Sequence, residues 1–162
     1  MTPQIGLVTQ QYQTDTYDVE IYKITTKSGP LRLRSGTGTN YKMNVKKVAV
    51  NEKTVAVITG SEKILTDVQS ALDLIMSAKY EAGTNLIAIE KSAVAEDFFI
   101  LSRGLAGEIL EKFITYQAKI AIFGDYSHYT SKPLKDFIYE SNKGKDVFFV
   151  ATQDEATRML TR

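Results

Sequence analysis

The chain contains no cysteine, and His128 is its single histidine. The first absence excludes disulfides, thiolate nucleophiles and cysteine metal sites, and it agrees with a reducing cytoplasm. The second leaves no set of imidazoles from which a metal centre could be assembled. Long apolar runs are also missing. Nothing approaches the roughly 20 residues of a membrane span, and the amino terminus lacks the basic start and apolar centre of a signal peptide. Nor is there an excess of charge of either sign: 20 Lys and Arg stand against 19 Asp and Glu, a formal net charge of +1. No overall field therefore draws the chain to nucleic acid or to an anionic membrane. The expectation is a cytoplasmic protein whose partners are neither nucleic acid nor membrane, with no cofactor.

What is present is the composition of a folded globular chain, 43% hydrophobic and 24% charged, away from the disordered and membrane classes. At 162 residues it has room for one sizeable core. Two regions differ in character. Residues 1–42 read as an amino-terminal extension. Within it residues 17–25 alternate apolar and polar through Tyr17, Val19 and Ile21, a strand pattern. Residues 28–41 carry a turn signal, Leu31 and Leu33 alternating with Arg32 and Arg34, and a loop through Gly36 and Gly38, which predicts a β-hairpin.

From Met43 onward, strand patterns alternate with amphipathic helices. Residues 45–50 and 54–58 are β-branched runs split by Asn51, Glu52 and Lys53, a hairpin with a polar turn. Thr66 and Asp67 open a helix carrying Val68, Ala71, Leu72, Ile75 and Met76, with Gly83 beyond its end. Residues 86–89 are short and continuously apolar, as a strand covered on both faces should be. Residues 104–117 place Leu105, Ala106, Ile109, Leu110, Phe113 and Tyr116 on one stripe of a second helix. A strand over 118–123 follows. Thr130 or Ser131 caps a third helix with Pro133 in its first turn, and residues 147–150 form the last strand. Thr152 and Glu155 have the spacing of a capping box for a final helix. The order β-β-α-β-α-β-α-β-α requires a mixed, mostly parallel sheet, because each helix must return the chain to the same end.

This order, with the run from Leu86 through Gly124, resembles the STAS domain of anti-sigma-factor antagonists and sulphate transporters. That likeness implies a STAS-like α/β fold and a regulatory, protein-binding role. More closely, residues 43–162 resemble a family of small bacterial proteins known as domain of unknown function 4180. The likeness lies in the stretches ILTDVQSALDL, EDFFILSRGLAGEILEKF and YTSKPLKDFIYESNKGKDVFFV; it implies a bacterial or phage setting and no stated activity. Residues 28–41, through Leu31, Leu33, Arg34, Ser35, Gly36, Gly38, Thr39 and Tyr41, resemble a fragment of a bacterial SH3 repeat.

In open α/β sheets the loops after the strands gather at one edge. The sequence therefore brings Glu90, Lys91, Glu96, Asp97, Phe98, Phe99, Ser102 and Arg103 towards Asp125, Tyr126, His128 and Tyr129 as a candidate ligand- or partner-binding rim. STAS antagonists carry a phosphorylated serine before the second helix, and Ser102 is the nearest counterpart here, although the D-S-S-G-like turn is absent. Ser is also a preferred helix N-cap, and that reading weighs more. Phe98 and Phe99 either plug the core or form a contact patch, and core is favoured. Asp125, His128 and Ser127 or Ser131 lie too close along the chain to align as a catalytic relay, so no catalytic residue is assigned. The leading expectation is a regulatory or protein-interaction domain, able to self-associate through a sheet edge. The alternative is a small-ligand or nucleotide binder, or a weak hydrolase, using the loops after residues 86–89 and 118–123. Whether any enzyme activity exists stays open, with binding favoured.

Overall fold

The computed structural model describes residues 32–34, 40–42 and 44–162. Strands β1 (Arg32–Arg34) and β2 (Asn40–Lys42) pair antiparallel with Leu33 opposite Tyr41 and form a sheet of their own, which is the expected hairpin. The strand expected over residues 17–25 and the glycine loop around Gly36 lie outside the described residues.

The larger unit runs β3 (Asn44–Val50), β4 (Lys53–Thr59), α1 (Val68–Glu81), β5 (Leu86–Glu90), α2 (Leu105–Thr115), β6 (Lys119–Phe123), α3 (Lys132–Lys143), β7 (Val147–Val150) and α4 (Gln153–Thr161). Its five strands stand side by side in sequence order, β3 antiparallel to β4 and all later neighbours parallel. This is the mixed, mostly parallel α/β sheet that the STAS resemblance implied. Because strands β4 to β7 advance in one direction, right-handed crossovers put α1, α2 and α3 on the same face. There Leu74, Ile75, Ile109, Phe113 and Leu134 pack on Ile58, Ile87, Ile89, Ile120 and Ile122. Among the described residues helix α4 alone covers the other face, with Ala156 and Leu160 on Val55, Val57, Leu86, Ala88 and Phe148. Double coverage is why β5 and β6 are apolar at successive positions instead of alternating.

Local chemistry sets the ends of these elements. The Asp67 carboxylate accepts from the Ser70 amide at 2.8 Å while Ser70 Oγ accepts from the Asp67 amide at 2.9 Å, a reciprocal cap for α1. Ser131 caps α3, and Thr152 caps α4. The Glu155 carboxylate reaches back to the amide of Ala151, one residue before the cap. The β3–β4 turn holds Asn51 and Glu52 at φ 53° and 65°, and Gln117 ends α2 at φ 57°. One inward assignment changes. Tyr116, expected on the buried stripe of α2, is the C-cap of that helix and 48% exposed. The stripe ends at Phe113, because after Thr115 the chain turns left-handed at Gln117 and Ala118 N–H closes onto the Phe113 carbonyl.

Candidate functional site

The carboxyl ends of β4, β5 and β6 share one edge, and the backbone there is knitted together. After β4, Ile64 and Leu65 donate to the Ala93 carbonyl at 2.7 and 3.0 Å, and Ala95 donates to the Leu65 carbonyl at 2.9 Å. Lys63 Nζ reaches the Val94 carbonyl at 3.1 Å, and Ser92 Oγ the Gly60 carbonyl at 3.0 Å. The segment after β5, expected as a plain loop, is coiled into three short 3₁₀ turns, Lys91–Ala93, Glu96–Phe99 and Leu101–Arg103. Gly104 then takes φ 78°, where a side chain is disfavoured, and starts α2.

The segment after β6 docks on this coil through aromatic rings. Phe99 stacks on Tyr129 with centroids 5.2 Å apart and meets Tyr126 edge-on at 6.1 Å. The Tyr129 hydroxyl donates to Glu96 Oε1 at 2.7 Å, and the Tyr126 hydroxyl donates to the Ile122 carbonyl at 2.7 Å. His128 lies over Tyr129 at 4.3 Å. Lys91 projects into the same ring cluster. Gly124 lets the two segments close: a Cβ there would sit 2.6 Å from Lys91 Cβ. The structure therefore brings Lys91, Glu96, Phe99, Tyr126, His128 and Tyr129 into one cluster.

Other expected residues stand apart from it. Asp97 and Arg103 pair with each other at 3.2 Å on the exposed flank. Asp125 accepts from the Ser127 amide at 2.9 Å and shapes its own turn, with no bond to His128. Glu90 ends β5, half-buried. Phe98 is 1% exposed and packs on Phe99 and Phe149, so it belongs to the core and presents nothing to a partner. Phe99 is nearly as buried and forms the floor of the cluster. Ser102 is exposed in the last 3₁₀ turn, and the position before α2 is held by Gly104 without a side-chain cap. Ser102 thus stands apart from the helix start, which corrects the capping expectation.

Ionisation favours holding over reacting. Burial pushes the Tyr126 hydroxyl well above the usual phenol range. Burial and then the bond to Glu96 do the same to Tyr129. Both phenols are thereby held in the protonated form that donates a hydrogen bond. The Tyr129 bond holds Glu96 below the ordinary carboxylate range, and the Ser127 amide does so for Asp125. Sequence reasoning missed two features. Ile100 is 43% exposed beside Arg103 on the rim. A cavity of about 760 Å³ opens at the opposite, amino-terminal end of the strands, lined by Lys53, Lys79, Lys119, Asn85, Tyr116 and Gln117 among others. Both need the tertiary fold to be seen. Among the described residues no helix is long and apolar enough to cross a membrane.

A family model described as a domain of unknown function (DUF4180) matches residues 50–160. No curated protein matches the chain. Among solved structures it is similar to the crystal structure of a proposed anti-sigma factor antagonist from Thermotoga maritima. Identity is 18% with a TM-score of 0.38, covering 73% of this chain and 95% of that one. A likeness so distant carries no function across.

Proposed function

The chain belongs to the DUF4180 family, a domain of unknown function, and we propose that it acts as a regulatory protein-docking domain rather than an enzyme. The docking edge is the rim built from residues 90–104 and 125–132, and the partner is another protein. The observation that carries this reading is the ring cluster of Phe99, Tyr126, Tyr129 and His128, locked by the Tyr129–Glu96 bond. It offers tyrosine and histidine on a surface that is already ordered, with Arg103 on the adjoining flank, the residue chemistry and rigidity that concentrate binding energy at interfaces. No activated nucleophile accompanies it, since the phenols are held protonated and Asp125 is occupied by its own turn. The fold of residues 44–162 supplies the scaffold.

A second reading, small-ligand binding, draws on the cavity at the amino-terminal end, where Lys53, Lys79 and Lys119 would favour an anion. None of the rim residues lines that cavity, so the two readings separate by mutation. Partner capture is compared between wild type and the variants Arg103→Ala, Asp125→Ala and His128→Ala, each checked for an unchanged melting midpoint. At least a tenfold loss, about 1.4 kcal/mol, is expected from one or more of them. Full capture by all three would remove the rim. A midpoint rise with small anions, abolished by Lys79→Ala and indifferent to the rim variants, would favour the cavity.

A further inference from the structure

Lys91 leaves β5 at the point where the chain enters its first 3₁₀ turn, and its side chain is half-buried instead of running into water. Its Nζ lies over three rings at once, 4.7 Å from the Tyr129 centroid, 5.4 Å from Phe99 and 6.0 Å from Tyr126. All three fall within the ~6 Å at which an ammonium is attracted by the negative face of an aromatic ring. Among the ion pairs of the described residues none includes Lys91. Rings, not a carboxylate in direct contact, hold this charge.

Two further features make the cluster a cation holder. The Tyr129 phenol donates to Glu96 Oε1 at 2.7 Å; a phenol polarised by a carboxylate has a more electron-rich ring, and the carboxylate adds a full negative charge nearby. Gly124 presses on the lysine stem where any Cβ would approach Lys91 Cβ to 2.6 Å. The stem is thereby aimed at the rings by the backbone of the neighbouring loop.

We infer that Phe99, Tyr126 and Tyr129 form an aromatic cage for an alkylammonium group, that Lys91 is its internal occupant, and that a lysine side chain of the docking partner, plain or methylated, enters by displacing Lys91. That the entrant comes from a protein rests on the docking reading of the rim; the cage itself rests on the ring geometry. Displacement is chemically balanced. The outgoing Lys91 head regains water and its four-carbon stem regains rotamers, while the incoming group takes over the same ring contacts. A methylated ammonium is less tightly hydrated than a plain one and enters more readily. The tethered occupant competes at an effective concentration on the order of millimolar or above, so free ammonium ions bind the wild-type chain weakly.

The test uses the full chain, isotopically labelled, titrated with tetramethylammonium chloride beside a sodium chloride control while the ring signals of Phe99, Tyr126 and Tyr129 are followed. Lys91→Ala vacates the cage, and Lys91→Gln keeps most of the stem under Gly124 without the charge. Either should bind tetramethylammonium at least tenfold more tightly than wild type, and adding Tyr129→Leu should abolish the gain. Affinities equal to wild type in folded variants overturn the inference. A wild-type measurement stands independently of the variants: the Lys91 ε-protons, shielded by three ring faces, should resonate upfield of those of other lysines, and signals at the ordinary position overturn the cage. A hexapeptide with one trimethyllysine should shift the same rings, and the same peptide with norleucine should not; identical shifts refute the lysine assignment. Partner capture that persists without any cage binding would sink the cage and leave the docking rim standing.

Discussion

Replacing Asn142 by Ala removes the two hydrogen bonds that close the outer side of β7. That strand is a sheet edge. The carbonyls of Asp146, just before it, and of Val150 accept from Ile120 and Gly124 on the inner side, at 2.9 and 3.0 Å. The main-chain groups of Phe149 point to the open side, and there the Asn142 amide satisfies both, donating to the carbonyl at 2.9 Å and accepting from the N–H at 2.7 Å. Two such bonds contribute about 0.5–1.5 kcal/mol each, and leaving partly buried partners unpaired adds to the cost. The expected loss is about 1.5–3 kcal/mol, or roughly 5–10 °C in melting midpoint for a chain of this size. Urea unfolding followed by circular dichroism measures it, with an unchanged m value showing that the unfolded state is unaltered. Asn142→Asp should recover less than half of the loss, since a carboxylate still accepts from the Phe149 amide but repels its carbonyl. An opened edge also invites strand pairing between molecules, so the Ala variant should sediment in a concentration-dependent way. A destabilisation below about 0.5 kcal/mol would refute the view that this side chain seals the sheet.

Burial raises the Glu81 carboxyl to about 8, with Lys47 acting in the opposite sense. The folded state therefore binds this proton more tightly than the unfolded state, so the contribution of Glu81 to stability is full below pH 4.5 and is lost as pH rises through about 8. Glu81→Gln should flatten that part of a pH-stability profile and gain about 1–2 kcal/mol at pH 8.5 once screening of the partly exposed carboxyl is allowed for; an unaltered profile would contradict it. Glu52 and Gln117 hold left-handed backbone without being glycine, so Glu52→Gly and Gln117→Gly should each stabilise by about 0.5–1 kcal/mol in thermal melts, and destabilisation would show that their side chains matter more than their φ. A chain beginning at Met43 should still melt cooperatively by calorimetry; a molten product would show that residues 1–42 complete the core.

The five-stranded sheet was legible because its signals are local. Continuous apolar runs at residues 86–89 and 118–123 announce doubly covered strands, and Asp67, Ser131 and Thr152 announce helix starts within a turn of where they occur. Tyr116 departs from expectation because the apolar stripe runs on past Phe113 in the sequence, whereas the helix stops before the left-handed Gln117, a stop that no glycine signals. Ser102 departs from the capping expectation for a related reason, since it lies in the last of three consecutive 3₁₀ turns, which have no periodicity to betray them, and Gly104 takes the position before the helix. The gathering of the loops on one rim followed from topology alone. What no sequence pattern could supply is partnership across it: Tyr129 finding Glu96, Asn142 finding Phe149, and Lys91 lying between rings from two separate loops.

The rim segment is laced to its neighbour by three main-chain bonds from Ile64, Leu65 and Ala95. A surface fastened in that manner meets an incoming molecule in its finished shape, so encounter should proceed as rigid bodies at about 10⁵–10⁷ M⁻¹s⁻¹ without a slow rearrangement phase. The amides of Ile64 and Leu65 should exchange with deuterium late, and occupancy of the rim should slow them further instead of creating protection anew.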